Sequence, residues 1–150
     1  MYRNYIECPV GLIEVEASDT GVTSVAFVDV PQTVLPNAVT EQAIEQLKAY
    51  LAGDRTEFDL KLAPVGTEFQ AQVWTELQKI PYAALRSYSD IARNMGNPRA
   101  VRAVGAANGK NPIAIIVPCH RVIGADGQLT GYAGGLERKA WLLQHEGAII

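Results

Sequence analysis

The feature that most restricts the fold of this chain is a run of helix punctuation between residues 66 and 112. Thr67 with Gln70, and Ser87 with Asp90, each place a hydroxyl residue three positions before a side chain that can answer it, which is the pattern of a capping box. Behind the first box Phe69, Val73, Leu77 and Ile80 form one apolar stripe that stops at Pro81. Behind the second, Tyr88, Ile91, Ala92 and Met95 form another, closed by Gly96. Asn97 and Pro98 then open a third helix, Arg99 to about Asn108. Three short helices, the last two separated by a tight break, outline a helix-turn-helix.

On the third helix, at about 100° per residue, Arg99, Arg102, Ala103 and Ala106 share one face, and Val101, Val104, Gly105 and Asn108 lie opposite. The valine side is expected to pack inward. The other side sets two arginines among methyl-sized neighbours, so its backbone can approach another surface closely. Packing of small residues against a neighbouring helix would leave the arginines unexplained. The net charge of −3 argues against nucleic acid, but its distribution reverses that. From Arg86 to Arg121 the six bases Arg86, Arg93, Arg99, Arg102, Lys110 and Arg121 face the single acid Asp90, which leaves +5 there and −8 elsewhere. A basic surface on an acidic body suits steering toward phosphate, although a solvated pair of charged helices would show the same bias.

The chain divides by pattern at residues 65 and 66 into a scaffold lobe (1–65) and a lobe that carries chemistry (66–150). The first has strands near Arg3 to Glu7, Leu12 to Ala17 and Val22 to Val28, the last two joined as a hairpin across Ser18 to Gly21. A loop from Pro31 to Asn37 follows. Thr40 is expected to cap a helix with Ile44, Leu47 and Leu51 on one face and Gly53 as its stop. In the second lobe, Ile113 to Val117 is too short and too β-branched for a helix and reads as a buried strand or extended segment. Val122 to Thr130 reads as a hairpin around Asp126 and Gly127. Gly131 to Gly135 is a glycine-rich loop, and Leu136, Ala140 and Leu143 give a closing helix.

The chain has only Cys8 and Cys119, His120 and His145. A Cys/His zinc site would need all four from distant segments, against the usual ligand spacing, so no metal is expected. No segment looks like a secretory leader or is apolar enough to span a bilayer, so a cytoplasmic location is expected, where a disulfide is disfavoured. That leaves a lone thiol with a histidine beside it. Pro118 fixes Cys119 at the end of the apolar run, where a new turn begins and free backbone N–H groups would favour a thiolate. Neighbouring residues on a turn do not face each other, so His120 is expected to act through a bridging water. A lone Cys-His dipeptide is more commonly a buried structural cysteine.

Pro118 to Gly124, PCHRVIG, resembles the active-site signature of the O6-alkylguanine-DNA alkyltransferases, also called methylated-DNA–protein-cysteine methyltransferases. GTEFQAQVW (66–74), SYSDIA (87–92), NPRAVRAVGAANGKNP (97–112) and GYAGGLERKAWLL (131–143) resemble the same family in order and spacing. The resemblance implies an α+β protein: a small ribonuclease H-like N-terminal lobe of strands plus helix, then a winged-helix-like domain carrying the helix-turn-helix. It implies a monomer that binds double-stranded DNA in the minor groove and turns an O6-alkylguanine out of the stack. The alkyl group passes irreversibly to Cys119, once per molecule and without a cofactor, and O4-alkylthymine is a second candidate lesion.

By the same resemblance His120 is the water-relayed base, Glu146 orients its imidazole, and Tyr88 donates a proton toward the leaving guanine. Arg102 is the finger that fills the gap in the duplex, and Arg99, Ala103, Ala106 and Arg121 complete the DNA-contacting set. Asn111 is the hinge between the helix-turn-helix and the active-site turn. Val122, Tyr132 and Ala133 line the pocket, with the carbonyls of Cys119 and Val122 reading the guanine amino group and the Ala133 N–H near O6. The chain departs from the family at Pro81 to Tyr88, PYAALRSY, where members carry PYGxTxSY. Both the glycine and the threonine are missing, which bears on the turn that delivers Tyr88. Two other readings compete: a lesion-binding protein that transfers nothing, which Cys119 argues against because such relatives replace it, and a thiol hydrolase built on Cys119 and His120, which leaves the basic helix face unexplained.

Overall fold

The computed structural model describes residues 1–150, which separate into two compact units, Met1–Val65 and Gly66–Ile150. The first is a three-stranded antiparallel sheet, β1 (Tyr2–Cys8), β2 (Gly11–Ala17) and β3 (Val22–Val28), in the order β1-β2-β3. Register pairs Ile6 with Ile13 and Val15 with Val25, so the apolar residues of each strand fall on one face. Ile13, Val15 and Ala17 are buried there with Ala43, Ile44, Leu47 and Tyr50 of α1 (Ala38–Leu51).

Helix α1 begins earlier than Thr40. Asn37 is the cap: its side chain accepts from the Thr40 amide (2.9 Å), and Thr40 Oγ1 accepts from the Asn37 amide (2.9 Å), so Thr40 is the reciprocal third residue of a capping box. Asparagine is at least as good a cap as threonine, and Asn37 holds the extended conformation a cap needs.

The second unit bears out the three-helix outline and moves one boundary. Both capping boxes form, at the start of α2 (Glu68–Leu77) and of α3 (Tyr88–Asn94). Trp74 on α2 donates its indole N–H to the Ala107 carbonyl of α4 (Val101–Gly109) at 2.9 Å, a buried bond that fixes the outer helix against the helix-turn-helix. The third helix starts at Val101, two residues later than expected. The Ala100 amide bonds the Asn97 carbonyl (3.0 Å), closing residues 97–100 as a turn, so Arg99 lies before the helix.

Two expected elements are absent. Ile113, Ile115, Ile116 and Val117 are buried, but the segment is coiled into tight turns, with Val117 N–H bonded to Ile113 O (3.0 Å) and Ile115 at φ +69°. The cause is Asn111, whose side chain supplies the partners a sheet would have given: its amide donates to Val117 O (2.8 Å) and Ile113 O (3.3 Å), and its oxygen accepts from Ile113 N–H (3.0 Å). The expected hairpin at 122–130 has one strand only. Val122–Ile123 (β5) pairs in parallel with Arg86–Ser87 (β4), and the chain beyond closes as a turn through Gly124 N–H to Gln128 O (2.9 Å).

The last helix, α5 (Leu136–Glu146), turns a face inward that differs from the expected stripe. Lys139, Leu142, Leu143 and Glu146 are buried, whereas Leu136 is half exposed. No helix is long and apolar enough to cross a membrane.

Candidate active site

Cys119 opens a short 3₁₀ turn, Cys119–Arg121, that the Asn111-braced coil delivers. Its residue is 6% exposed. Burial pushes the thiol up from its ordinary value, while the Asn111 amide, the Lys139 ammonium and the cysteine's own backbone amide pull the other way. The cysteine's own amide is not one of the expected free N–H groups, since it donates to Val117 O (2.8 Å). The resting sulfur is a thiol that needs a base.

His120 is completely buried, and its Nε2 lies 2.7 Å from Glu146 Oε2. Burial pulls the imidazole below its ordinary value; Glu146 opposes this, and the Arg121 and Lys139 charges reinforce it. A neutral ring facing a carboxylate carries its hydrogen on the nitrogen that meets the carboxylate. The other nitrogen, Nδ1, is buried without a partner and is left with a bare lone pair.

Arg121 corrects an expectation. Its side chain is only 7% exposed, because Nε and one terminal nitrogen clasp both Glu146 oxygens (2.8 and 3.0 Å) and the other terminal nitrogen reaches the Ile80 carbonyl (2.7 Å). The guanidinium also lies 5.8 Å from the centre of the Tyr82 ring. A side chain tied down at every donor group inside the protein is not available to DNA phosphate. Arg93 pairs with Asp90 at the surface, and Arg99, Arg102 and Lys110 are exposed on the helix-turn-helix side. Arg102, Ala103 and Ala106 are exposed on α4, while Val104, Ala107 and Asn108 are buried, so the expected two-faced character of the helix is present.

Tyr88 stands at the first position of α3 with its hydroxyl donating to Thr130 O (3.2 Å) and accepting from Thr130 Oγ1 (3.3 Å). A Cβ on Gly131 would lie 3.7 Å from that hydroxyl, so the glycine-rich loop runs close over it. The turn that leads to Tyr88 has Ala83 at φ +66°, the left-handed conformation that glycine adopts at little cost. Tyr132 has a buried hydroxyl without a partner, and its ionisation is pushed well above the ordinary value by burial first and by the nearby Cys119 next. Val122 is buried, and its carbonyl accepts from Lys139 Nζ (2.5 Å); Ala133 is exposed at the loop.

Lys139 was not singled out by the sequence. It shares a helical face with Leu142, Leu143 and Glu146, at the spacing of an inward stripe, but a lysine in a stripe of that kind is ordinarily placed outside.

The profile of the 6-O-methylguanine DNA methyltransferase DNA-binding domain matches residues 68–148, and that of the ribonuclease-like domain of the same proteins matches residues 1–64. A methylated-DNA–protein-cysteine methyltransferase of Methanosarcina acetivorans is 51% identical, covering 99% of both chains, and one of Mycolicibacterium paratuberculosis is 52% identical, covering 97% of this chain and 91% of that one. Among solved structures, the Mycobacterium tuberculosis protein crystallised in complex with DNA superposes with a TM-score of 0.90 at 46% identity, over 97% of this chain and 92% of that one.

Proposed function

The chain belongs to the methylated-DNA–protein-cysteine methyltransferase family, and from that premise we propose that it repairs DNA by moving the alkyl group of an O6-alkylguanine onto its own Cys119. The observation that carries this reading to particular atoms is the state of His120. One ring nitrogen is committed to Glu146 and the other is buried with no partner, on the residue next to the thiol. A neutral imidazole held in that tautomer is a proton acceptor aimed away from its orienting carboxylate.

The thiol proton passes to His120 Nδ1, relayed by a water, and Glu146 stabilises the imidazolium that forms. The thiolate then attacks the alkyl carbon in line. The sulfur–carbon bond forms as the carbon–O6 bond breaks, and the electron pair stays with guanine. Tyr88 gives its hydroxyl proton to the leaving base, and return of one proton from His120 to the tyrosine, directly or through solvent, restores both groups. The product at Cys119 is a thioether with no easy hydrolytic exit, so the protein acts once. No step calls for a cofactor.

DNA is bound in the minor groove through α4 and the turn before it, with Arg99, Arg102, Ala103 and Ala106 at the interface. The contacts go mainly to phosphate, since damage rather than sequence must be found. Extruding the base costs a few kcal/mol of stacking and pairing, and Arg102 entering the gap offsets part of that. Asn111 holds the helix-turn-helix to the active-site turn, and Val122, Tyr132 and Ala133 line the pocket for the everted base. The protein works as a monomer in the cytoplasm.

The test is Cys119→Ser. The variant should bind lesion-bearing duplex and remove nothing from it, because an alcohol at that position is far less acidic and less nucleophilic than the thiol. Lesion removal at the rate of the unaltered protein would overturn the reading.

A further inference from the structure

The hydroxyl of Tyr88 has two partners, and both belong to one residue. It donates to the Thr130 carbonyl (3.2 Å) and accepts from Thr130 Oγ1 (3.3 Å), which is the only protein donor on the phenol oxygen. The same carbonyl accepts from the buried Lys139 Nζ (2.6 Å), so the segment that carries the threonine is tied to α5. Thr130 itself is exposed, and the residue after it is Gly131, whose Cβ would lie 3.7 Å from the phenol oxygen. Both bonds to Tyr88 are longer than the roughly 2.8 Å usual between a hydroxyl and an oxygen, and as neutral contacts near solvent they contribute little to the resting fold.

We propose that Thr130 is a positioning residue for the proton that Tyr88 delivers: its carbonyl holds the hydroxyl hydrogen until the base arrives, and its own hydroxyl stabilises the phenolate left when that proton departs. The proposal rests on the transfer reading above and adds a group to it.

When the carbon–O6 bond breaks, the base takes the Tyr88 proton and the electron pair of that O–H bond stays on the phenol oxygen. The bond to the Thr130 carbonyl is given up first, and at 3.2 Å it is weak enough to be exchanged for one to the base. The Thr130 hydroxyl keeps its own proton throughout. Its bond to the tyrosine oxygen turns from neutral to charge-assisted as negative charge grows there, and such bonds are roughly twice as strong. An interaction that strengthens on the way to the transition state raises the rate and leaves binding of the lesion unchanged.

The alternative is a latch that only fastens the glycine-rich loop to α3. Thr130→Val separates the two, because it keeps the carbonyl and the branched shape at an exposed position and removes the hydroxyl; Thr130→Ser restores the donor. With duplex O6-methylguanine at saturating concentration, single-turnover transfer by Thr130→Val should be roughly three- to tenfold slower, with affinity for the lesion unaltered, and Thr130→Ser should recover most of the rate. Alkylation of Cys119 by iodoacetamide, whose iodide leaves without a proton, should run in Thr130→Val as in the unaltered protein. In a Tyr88→Phe background Thr130→Val should cost nothing more, since no phenolate forms there.

Transfer by Thr130→Val at the unaltered rate would overturn the proposal. So would equal slowing of transfer and of iodoacetamide alkylation, a Thr130→Ser protein as slow as Thr130→Val, or an undiminished loss on top of Tyr88→Phe. Failure of the transfer reading looks different: the unaltered protein, run alongside, would then remove no methyl group at all.

Discussion

Replacing Arg121 by alanine separates two roles that a basic residue next to an active-site histidine could have. In the structure its guanidinium makes two bonds to Glu146 and one to the Ile80 carbonyl, with the Glu146 side chain itself completely buried. Truncation takes both of those bonds from the carboxylate and strands the Ile80 carbonyl. Removing one member of a buried ion pair costs about 3–5 kcal/mol, a large part of the roughly 5–15 kcal/mol that holds a domain together. For a chain of this size that is a fall in Tm of about 6–20 °C.

Urea and thermal unfolding followed by circular dichroism read the loss directly. DNA binding read across a salt series supplies the contrast, because a residue on phosphate contributes about one unit to the slope of log K against log salt. The Arg121→Ala protein should be strongly destabilised and, at a temperature where it is folded, keep its salt slope. Unchanged stability with a slope reduced by about one would refute the account of Arg121 and restore it to the DNA surface.

Three further outcomes follow from particular residues. Ala83→Gly should raise stability by up to about 1 kcal/mol in thermal unfolding, since relief of left-handed strain at φ +66° outweighs the extra freedom of the unfolded chain; a loss of 1 kcal/mol would show that the turn is not strained. Because burial holds the His120 imidazole below its ordinary 6.5, the base stays neutral as pH falls through that value, and single-turnover transfer should decline only below it. An acid limb centred above 6.5 would contradict the neutral buried ring. Arg102→Ala should slow repair of duplex DNA far more than reaction with the free alkylated base, and equal losses on both would exclude a finger that fills the gap.

Much of this site is legible in the chain because the relevant signals are local. The boxes at Thr67–Gln70 and Ser87–Asp90 satisfy helix ends with side chains three residues away, and both form. What sequence patterns miss is decided by partners far along the chain. Ile113–Val117 has the composition of a strand, yet its backbone is satisfied by the Asn111 side chain and coils instead. Val122–Ile123 finds β4 rather than its own return leg, which removes a hairpin that local turn residues favour. Arg121 and Lys139 look like surface charges until Glu146, 25 residues after the arginine, and the carbonyls of Val122 and Thr130 are brought to meet them. Burial of a charge depends on tertiary partners, and no periodicity of apolar residues encodes it.

In a transfer of this kind one sulfur atom takes up one alkyl group and keeps it. Intact-protein mass measured after incubation with excess duplex carrying O6-methylguanine, followed by peptide mapping, tests this most directly. Each protein molecule should gain the mass of a single methyl group, located on Cys119, and lesion loss should stop at one equivalent of protein. Continued lesion loss beyond that equivalent, or a methyl group found on any other residue, would contradict it.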